Sequence, residues 1–346
     1  MTFGSTISPT VSPTTSAVIS RAPLRANEIT VLSHADLAAL MQFGDYVEAV
    51  AQAFRLHAEG QSVLPPPMHI PAEGGGFHVK AAHLGGYVAV KTNSNFPDNP
   101  RRGLPTIQGA ILLFEAGGAL LALLDSIEIT IKRTGAATAV ATRYLARPDS
   151  RTATICGCGA QARVQLEALR HGLEIRRVFV FDSDPRAAEA FAAEITKQGL
   201  DVEVPNTLRA ATSESDVIVT CTTAHQPFLG IADVRPGTFV AAIGADNPEK
   251  SEIEPALMAK SRAVTDVRAL CAVMGDLHHA VRAGAMTEAD VHAELGELVA
   301  GRRPGRTSPD EITLFDGCGV GIQDVAAAAR AFELARERGS GARIGL

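Results

Sequence analysis

The sequence predicts an α/β chain in which a doubly wound parallel sheet follows an α+β segment. Three observations lead there. Between residues 152 and 265 short apolar strands alternate with helical stretches, the rhythm of a parallel sheet covered on both faces. Ahead of it, residues 77–124 read as strands separated by turn residues, which suits antiparallel hairpins. The chain has 346 residues, 46% of them apolar, enough to fill two cores of ordinary size.

Taken in order, residues 1–26 are rich in Ser, Thr, Pro and Ala, carry no acidic residue and show no periodicity, so a disordered tail is expected. Ser33-His34-Ala35-Asp36 reads as a helix start, and Tyr46, Val47, Val50, Phe54 and Leu56 form a helical stripe ending near Gly60. Strands are expected at 77–82, 87–92, 109–114 and 120–124, then an Ala- and Thr-rich helix over 128–145. The alternating part begins with strand 152–156 and a helix running to about His171. Strand 178–181, helix 186–197, strand 202–204, a helix start at 208–212 and strands 217–221, 239–243 and 263–265 follow. A helix is predicted over 288–300, a strand over 312–315 and a last helix over 321–338.

Bulk composition excludes several functions. The net charge of −6, with basic residues spread along the chain, offers no electrostatic reason to bind nucleic acid or an anionic membrane. The richest apolar stretch, 107–124, is broken by Gln108, Glu115 and the Gly117-Gly118 turn, so no membrane span is expected. Five cysteines, an odd number, and no signal-type apolar segment argue for a reducing compartment, and a cytoplasmic location is expected. Cys156-x-Cys158 lies in a glycine turn with no second Cys or His pair at zinc spacing, so no metal is expected there.

The segment from Thr152 to Ala162 is a strand, then G-x-G-x-x-A, then a helix. Gly157 permits the tight turn, Gly159 lets a pyrophosphate approach the backbone, and Ala162 lets the helix pack on the strand. With Ala160 and Gln161 they place the free N–H groups of a helix start against the phosphates. Asp182 ends the next strand, 23 residues after Gly159, where an acid accepts from the ribose hydroxyls and repels a 2′-phosphate. This is a Rossmann fingerprint, and it favours NAD over NADP. Arg186 nearby is the one residue that would suit a 2′-phosphate. Thr222 and Thr223 follow the fourth strand of the unit and Ile243-Gly244 the fifth, so both segments are expected to line the cofactor crevice.

Polar residues elsewhere must name the substrate. Lys80 and Lys91 interrupt apolar strands, where a lysine is unfavourable unless exposed or paired. Arg133 opens a small-residue run, and Asp246 follows Gly244 with Lys250 four residues on. Cations of this kind recognise a carboxylate, and a carboxylate beside the nicotinamide crevice can move a proton to or from a substrate nitrogen.

These motifs together resemble the ornithine cyclodeaminase/μ-crystallin family. The likeness rests on Lys91 with Phe96-Pro97-x-Asn99 and Gly103-Leu104-Pro105, on Ile129-Thr130-x-x-Arg133-Thr134-x-Ala136-Ala137, and on the glycine turn. It continues through Ile243-Gly244-Ala245-Asp246-x-Pro248-x-Lys250-x-Glu252, Glu294-Leu295-Gly296-Glu297-Leu298, and Phe315-Asp316-Gly317-x-Gly319 with Gln323-Asp324. The resemblance implies a homodimer whose substrate-binding and dimerisation domain is residues 27–146 with 317–346, and whose NAD-binding domain is 147–316. It implies that Lys91 and Arg133 contact the substrate carboxylate, that Asp246 is the catalytic acid/base, and that Lys250 and Gly317 lie at the cofactor. Two departures bear on the substrate. The family's Pro-x-Arg run is here Pro65-Pro66-Pro67-Met68-His69, and the acid that partners a terminal ammonium in cyclodeaminases falls at about His78. The expected activity is therefore NAD-dependent interconversion of a small α-imino acid and its amino acid, iminosuccinate-like or a cyclic ketimine, with Lys80 joining the substrate site. The alternatives are an ornithine or lysine cyclodeaminase and a non-enzymatic, crystallin-like binding protein.

Overall fold

A computed structural model describes residues 28–346; the tail expected at 1–26 lies outside the described residues. The chain starts with β1 (Glu28–Leu32), α1 (His34–Leu40) and α2 (Phe43–Ala58). Ser33 caps α1 reciprocally with Asp36, the capping-box arrangement that the sequence carries. Next come β2 (Ser62–Val63), β3 (Met68–Ala72), β4 (Gly75–Leu84), β5 (Tyr87–Asn95), β6 (Ile107–Glu115), β7 (Leu120–Asp125) and the long α3 (Ser126–Leu145). These strands form one sheet with the order β16-β1-β7-β6-β5-β4-β2, in which β3 pairs β4 and β16 is Ala342–Gly345 at the end of the chain. Helices α2, α3 and the last helix, α11 (Gly321–Arg338), pack together, and α11 also covers β4 and β5.

The second sheet is built from β8 (Thr152–Cys156), β9 (Arg177–Phe181), β10 (Asp201–Glu203), β11 (Val217–Thr220), β12 (Phe239–Ala242), β13 (Arg262–Thr265), β14 (Ala293–Glu294) and β15 (Thr313–Asp316). Its order is β10-β9-β8-β11-β12-β15-β13-β14 and every pairing is parallel. Helices α4 (Ala160–Gly172), α5 (Pro185–Thr196), α6 (Leu208–Thr212), α7 (Pro255–Lys260), α8 (Arg268–Met274), α9 (Asp276–Arg282) and α10 (Leu295–Val299) lie between these strands in sequence. This is the doubly wound Rossmann sheet beside an α+β unit. The crossover that reverses strand order lies between β8 and β11, and ligands bind at the carboxyl ends of strands at such a point.

Most elements fall within a few residues of their expected places. The helix expected over 288–300 does not form as one piece. A 3₁₀ turn at Glu288–Asp290 is closed by Thr287 and Asp290, β14 adds to the free edge of β13, and only Leu295–Val299 is helical. Edge pairing that buries Ala293 outweighs a local helical preference. Strands β1, β2, β3 and β16 were not expected from the sequence. Pro71 stands inside β3, and that strand pairs only with β4, which leaves it at an edge where proline is tolerated.

Candidate active site

At the carboxyl ends of β8, β9 and β11 a cleft of about 580 Å³ is lined by Gly157, Gly159, Asp182, Thr222 and Thr223 among others. Gly157 holds φ +94°, and a Cβ there would stand 2.8 Å from the Cys221 carbonyl oxygen, so only glycine closes this turn without strain. Nothing lies within 4 Å of a Cβ on Gly159, which leaves the start of α4 open to an approaching group. Asp182 accepts from the Cys158 N–H (2.7 Å) and the Asp184 N–H (2.9 Å), which orients its carboxylate at the cleft wall. An open glycine turn, a long-helix N-terminus and an oriented acid fit a dinucleotide's pyrophosphate and ribose. Ala160 and Gln161 form the first turn of α4 beside this cleft, and Ile243 is buried at the end of β12. Gly317 packs against Phe315 and Ile243.

A residue that entered above only as part of a motif, not as a site residue, organises the crevice. Glu252 is fully buried, and its Oε1 accepts from the Thr222 N–H (2.6 Å) and hydroxyl (2.7 Å). Its Oε2 accepts from the Thr220 hydroxyl (2.7 Å) and the Gly244 N–H (2.8 Å). One carboxylate thus ties the end of β11 to the loop that carries Asp246, and Gly244 must lack a Cβ because one would lie 2.4 Å from that carboxylate. Burial, with Asp276 nearby, raises the Glu252 carboxyl to about 7 against these hydrogen bonds. Asp276, Asp316 and Asp266 are buried acids held by backbone N–H groups, and burial raises each of them.

Glu252→Gln is expected to cost about 1–3 kcal/mol, because either amide orientation turns its NH₂ against a backbone N–H of Thr222 or Gly244. The raised pKa also sets a sign. The folded chain holds the Glu252 proton more tightly than the unfolded chain, whose ordinary value is 4.5. Glu252's favourable term is full below 4.5 and is lost as pH rises through about 7. Thermal melts across that range should show the wild-type lead over the Gln variant shrinking as pH rises; a lead that grows would overturn this assignment.

A second cavity of about 460 Å³ lies between the two sheets, with His69, His78 and Lys80 on one wall and Asp246 and Glu249 on the other. Lys250 Nζ donates to Asp246 Oδ1 at 2.8 Å. Desolvation by the cavity walls pushes the half-exposed Asp246 carboxyl up, but the Lys250 ammonium and then Lys80 prevail, and it is held below the ordinary carboxylate range. Lys80 Nζ donates to the Gly319 carbonyl at 2.7 Å, which supplies the partner that a lysine in an apolar strand requires.

Lys91 and Arg133 are set deeper. Both are buried and share Asp324 on α11: Lys91 Nζ lies 2.8 Å from Oδ2 and Arg133 Nε 3.0 Å from Oδ1. Gln323 accepts from Arg133 at 2.8 Å, and Gly319 lies directly over the guanidinium. One anion between two buried cations leaves a surplus charge, so burial and the neighbouring Arg133 lower the Lys91 ammonium even though Asp324 opposes this. Asp324 itself stays below the ordinary carboxylate range: burial raises it, and Lys91 and Arg133 outweigh burial. The β4–β5 register sets Lys80 directly opposite Lys91. The fold therefore sets Lys80 on the cavity wall, with Lys91 and Arg133 buried behind it on Asp324, and Asp246 with Lys250 across the cavity, while Thr222 and Thr223 stay in the dinucleotide cleft.

The chain matches the ornithine cyclodeaminase/mu-crystallin family over residues 27–339. It belongs to that family. Three solved structures superpose closely. An archaeal alanine dehydrogenase, a dimer with bound NAD, is 36% identical, covers 92% of this chain and 99% of its own, and has a TM-score of 0.88. The Thermococcus litoralis Δ¹-pyrroline-2-carboxylate reductase in complex with NADH and L-proline is 35% identical, with 91% and 100% covered and a TM-score of 0.87. The iminosuccinate reductase of Paracoccus denitrificans in complex with NAD⁺ is 30% identical, with 92% and 100% covered and the same TM-score.

Proposed function

We propose that this family member is an NAD-dependent oxidoreductase that interconverts a small α-imino acid and the corresponding amino acid. The observation that carries the reading is the cavity between the sheets, cationic on one wall and bearing Asp246 on the other, joined to the dinucleotide cleft through Glu252. The named relatives, reductases and dehydrogenases of such acids, support it.

NAD, when bound at Gly157, Gly159 and Asp182, supplies hydride transfer at the substrate α-carbon. The chain's own residues do the rest. Lys80, backed by Lys91 and Arg133, holds the substrate carboxylate and so orients the α-carbon toward the cleft. Asp246, a carboxylate in this structure, takes the proton from the substrate nitrogen in the oxidative direction and returns it in the reductive one, with Lys250 holding it in place. The reading includes a homodimer, in which residues 27–146 with 317–346 form the substrate-binding and dimerisation unit and 147–316 the NAD-binding unit. No described helix is long and apolar enough to cross a membrane.

A spectrophotometric screen tests this. Amino acids with NAD⁺, and imines or keto acids with ammonia and NADH, should show net change in NADH; ammonia release from ornithine without net NADH would identify a cyclodeaminase instead. In the same assay Asp182→Ala should raise KM for NAD⁺ roughly 10- to 100-fold, the loss of one or two charge-assisted hydrogen bonds, and leave kcat little changed. An unchanged KM would remove Asp182 from the ribose site.

A further inference from the structure

Within the oxidoreductase reading, we propose that His69 and His78 form a second carboxylate site, so that the preferred substrate is the imine of a short dicarboxylic amino acid. Strand register puts the two rings together: His69 on β3 faces His78 on β4, with centroids 4.6 Å apart. His78 and Lys80 are two residues apart on β4 and so project from the same face, about 6.7 Å from one another along the strand. Lys80 in turn stands opposite Lys91. The result is one row of basic side chains from the buried Lys91, through Lys80, to the histidine pair at the outer end of the cavity.

Such a row is unfavourable without a counter-charge. Like charges opposed across strands repel, and Asp324 satisfies only the deep end. The outer end faces open cavity. His78 is pulled below its ordinary value by burial first and then by His69, with Lys80 and Lys250 adding to this and Asp246 opposing it. The groups facing the pair are thus Lys80 from β4, Asp246 and Lys250 from the loop across the cavity, and Glu249 beside them. Asp246 is already committed to Lys250. A substrate anion at the histidines relieves the repulsion and favours the charged form of His78. An α-carboxylate at Lys80 and a second carboxylate at the histidines bring the carbon between them in front of Asp246, whereas a substrate with an apolar side chain leaves the outer row unpaired.

The test uses the full chain with NAD⁺ and three probes: aspartate, alanine and proline. Wild type should prefer aspartate, and its KM for aspartate, not for alanine or proline, should rise as pH climbs and His78 loses its charge. His78→Leu and His69→Leu, with folding checked by thermal melts, should each lower kcat/KM for aspartate roughly 10-fold or more and leave the other two within about 2-fold. Equal losses on all three substrates, or turnover of alanine or proline without aspartate, would overturn this assignment and leave the oxidoreductase reading standing. No turnover of any of the three would overturn this assignment, and only the absence of net NADH change across the whole screen above would overturn the oxidoreductase reading as well.

Discussion

Asp324→Asn is expected to destabilise the folded chain by about 3–5 kcal/mol and to remove turnover with it. Asp324 is the anion shared by two buried cations, Lys91 and Arg133, at 2.8 and 3.0 Å. An Asn of the same shape keeps the packing of α11 against β4 and β5 but leaves the cations without their counter-charge in a site too buried for water to replace it. Denaturant titration gives the free energy, and steady-state assays give the activity. A second variant identifies the cause: Lys91→Met in the Asn background removes one of the stranded charges and should recover part of the stability. These groups act as a unit, so the two substitutions should be strongly non-additive. A loss under about 1 kcal/mol for Asp324→Asn, the range of solvated surface pairs, would show that the cluster is hydrated and that its charges are not held by Asp324.

Asp246→Asn has the opposite profile: a large loss of rate with little loss of stability. On the proposed mechanism the carboxylate moves the proton at the substrate nitrogen, a task worth about 10²- to 10⁴-fold, and an amide cannot accept that proton. Its side chain is 54% exposed and its one ion pair, to Lys250, is of the surface kind that contributes about 0–1 kcal/mol. Melting temperature and NAD binding should therefore stay close to wild type while kcat collapses in both directions. Wild-type rates in the Asn variant would remove Asp246 from the chemistry and with it the proton-transfer step.

How much of this was legible in the sequence depends on the range of the forces involved. The glycine turn could be read because its requirements are local: a left-handed backbone at Gly157, an open approach at Gly159 and a helix start at Ala160 all arise within a few residues. Asp182 followed from the length of one strand–helix–strand repeat. Asp246, Lys91 and Arg133 stood out because a charge in an apolar or small-residue run is conspicuous. Glu252 and Asp324 are as consequential and were passed over as site residues. Nothing in their neighbourhood shows that Glu252 gathers four donors from two strand ends, or that Asp324 on the last helix reaches two cations from β5 and α3. The helix expected over 288–300 failed for the same reason, since a sheet edge elsewhere in the chain competes for its residues.

By itself, then, the sequence determined the fold class, the dinucleotide turn and the residue types available to a substrate site, because periodicity, backbone conformation and chain spacing act over short range. Only the tertiary structure decided which of those residues meet. The β3–β4 register brings His69 to His78, the β4–β5 register brings Lys80 to Lys91, and the docking of α11 delivers Asp324 beneath them. Register and docking are set by burying apolar faces far apart in the chain, and the pairing of charges follows from where that burial puts them.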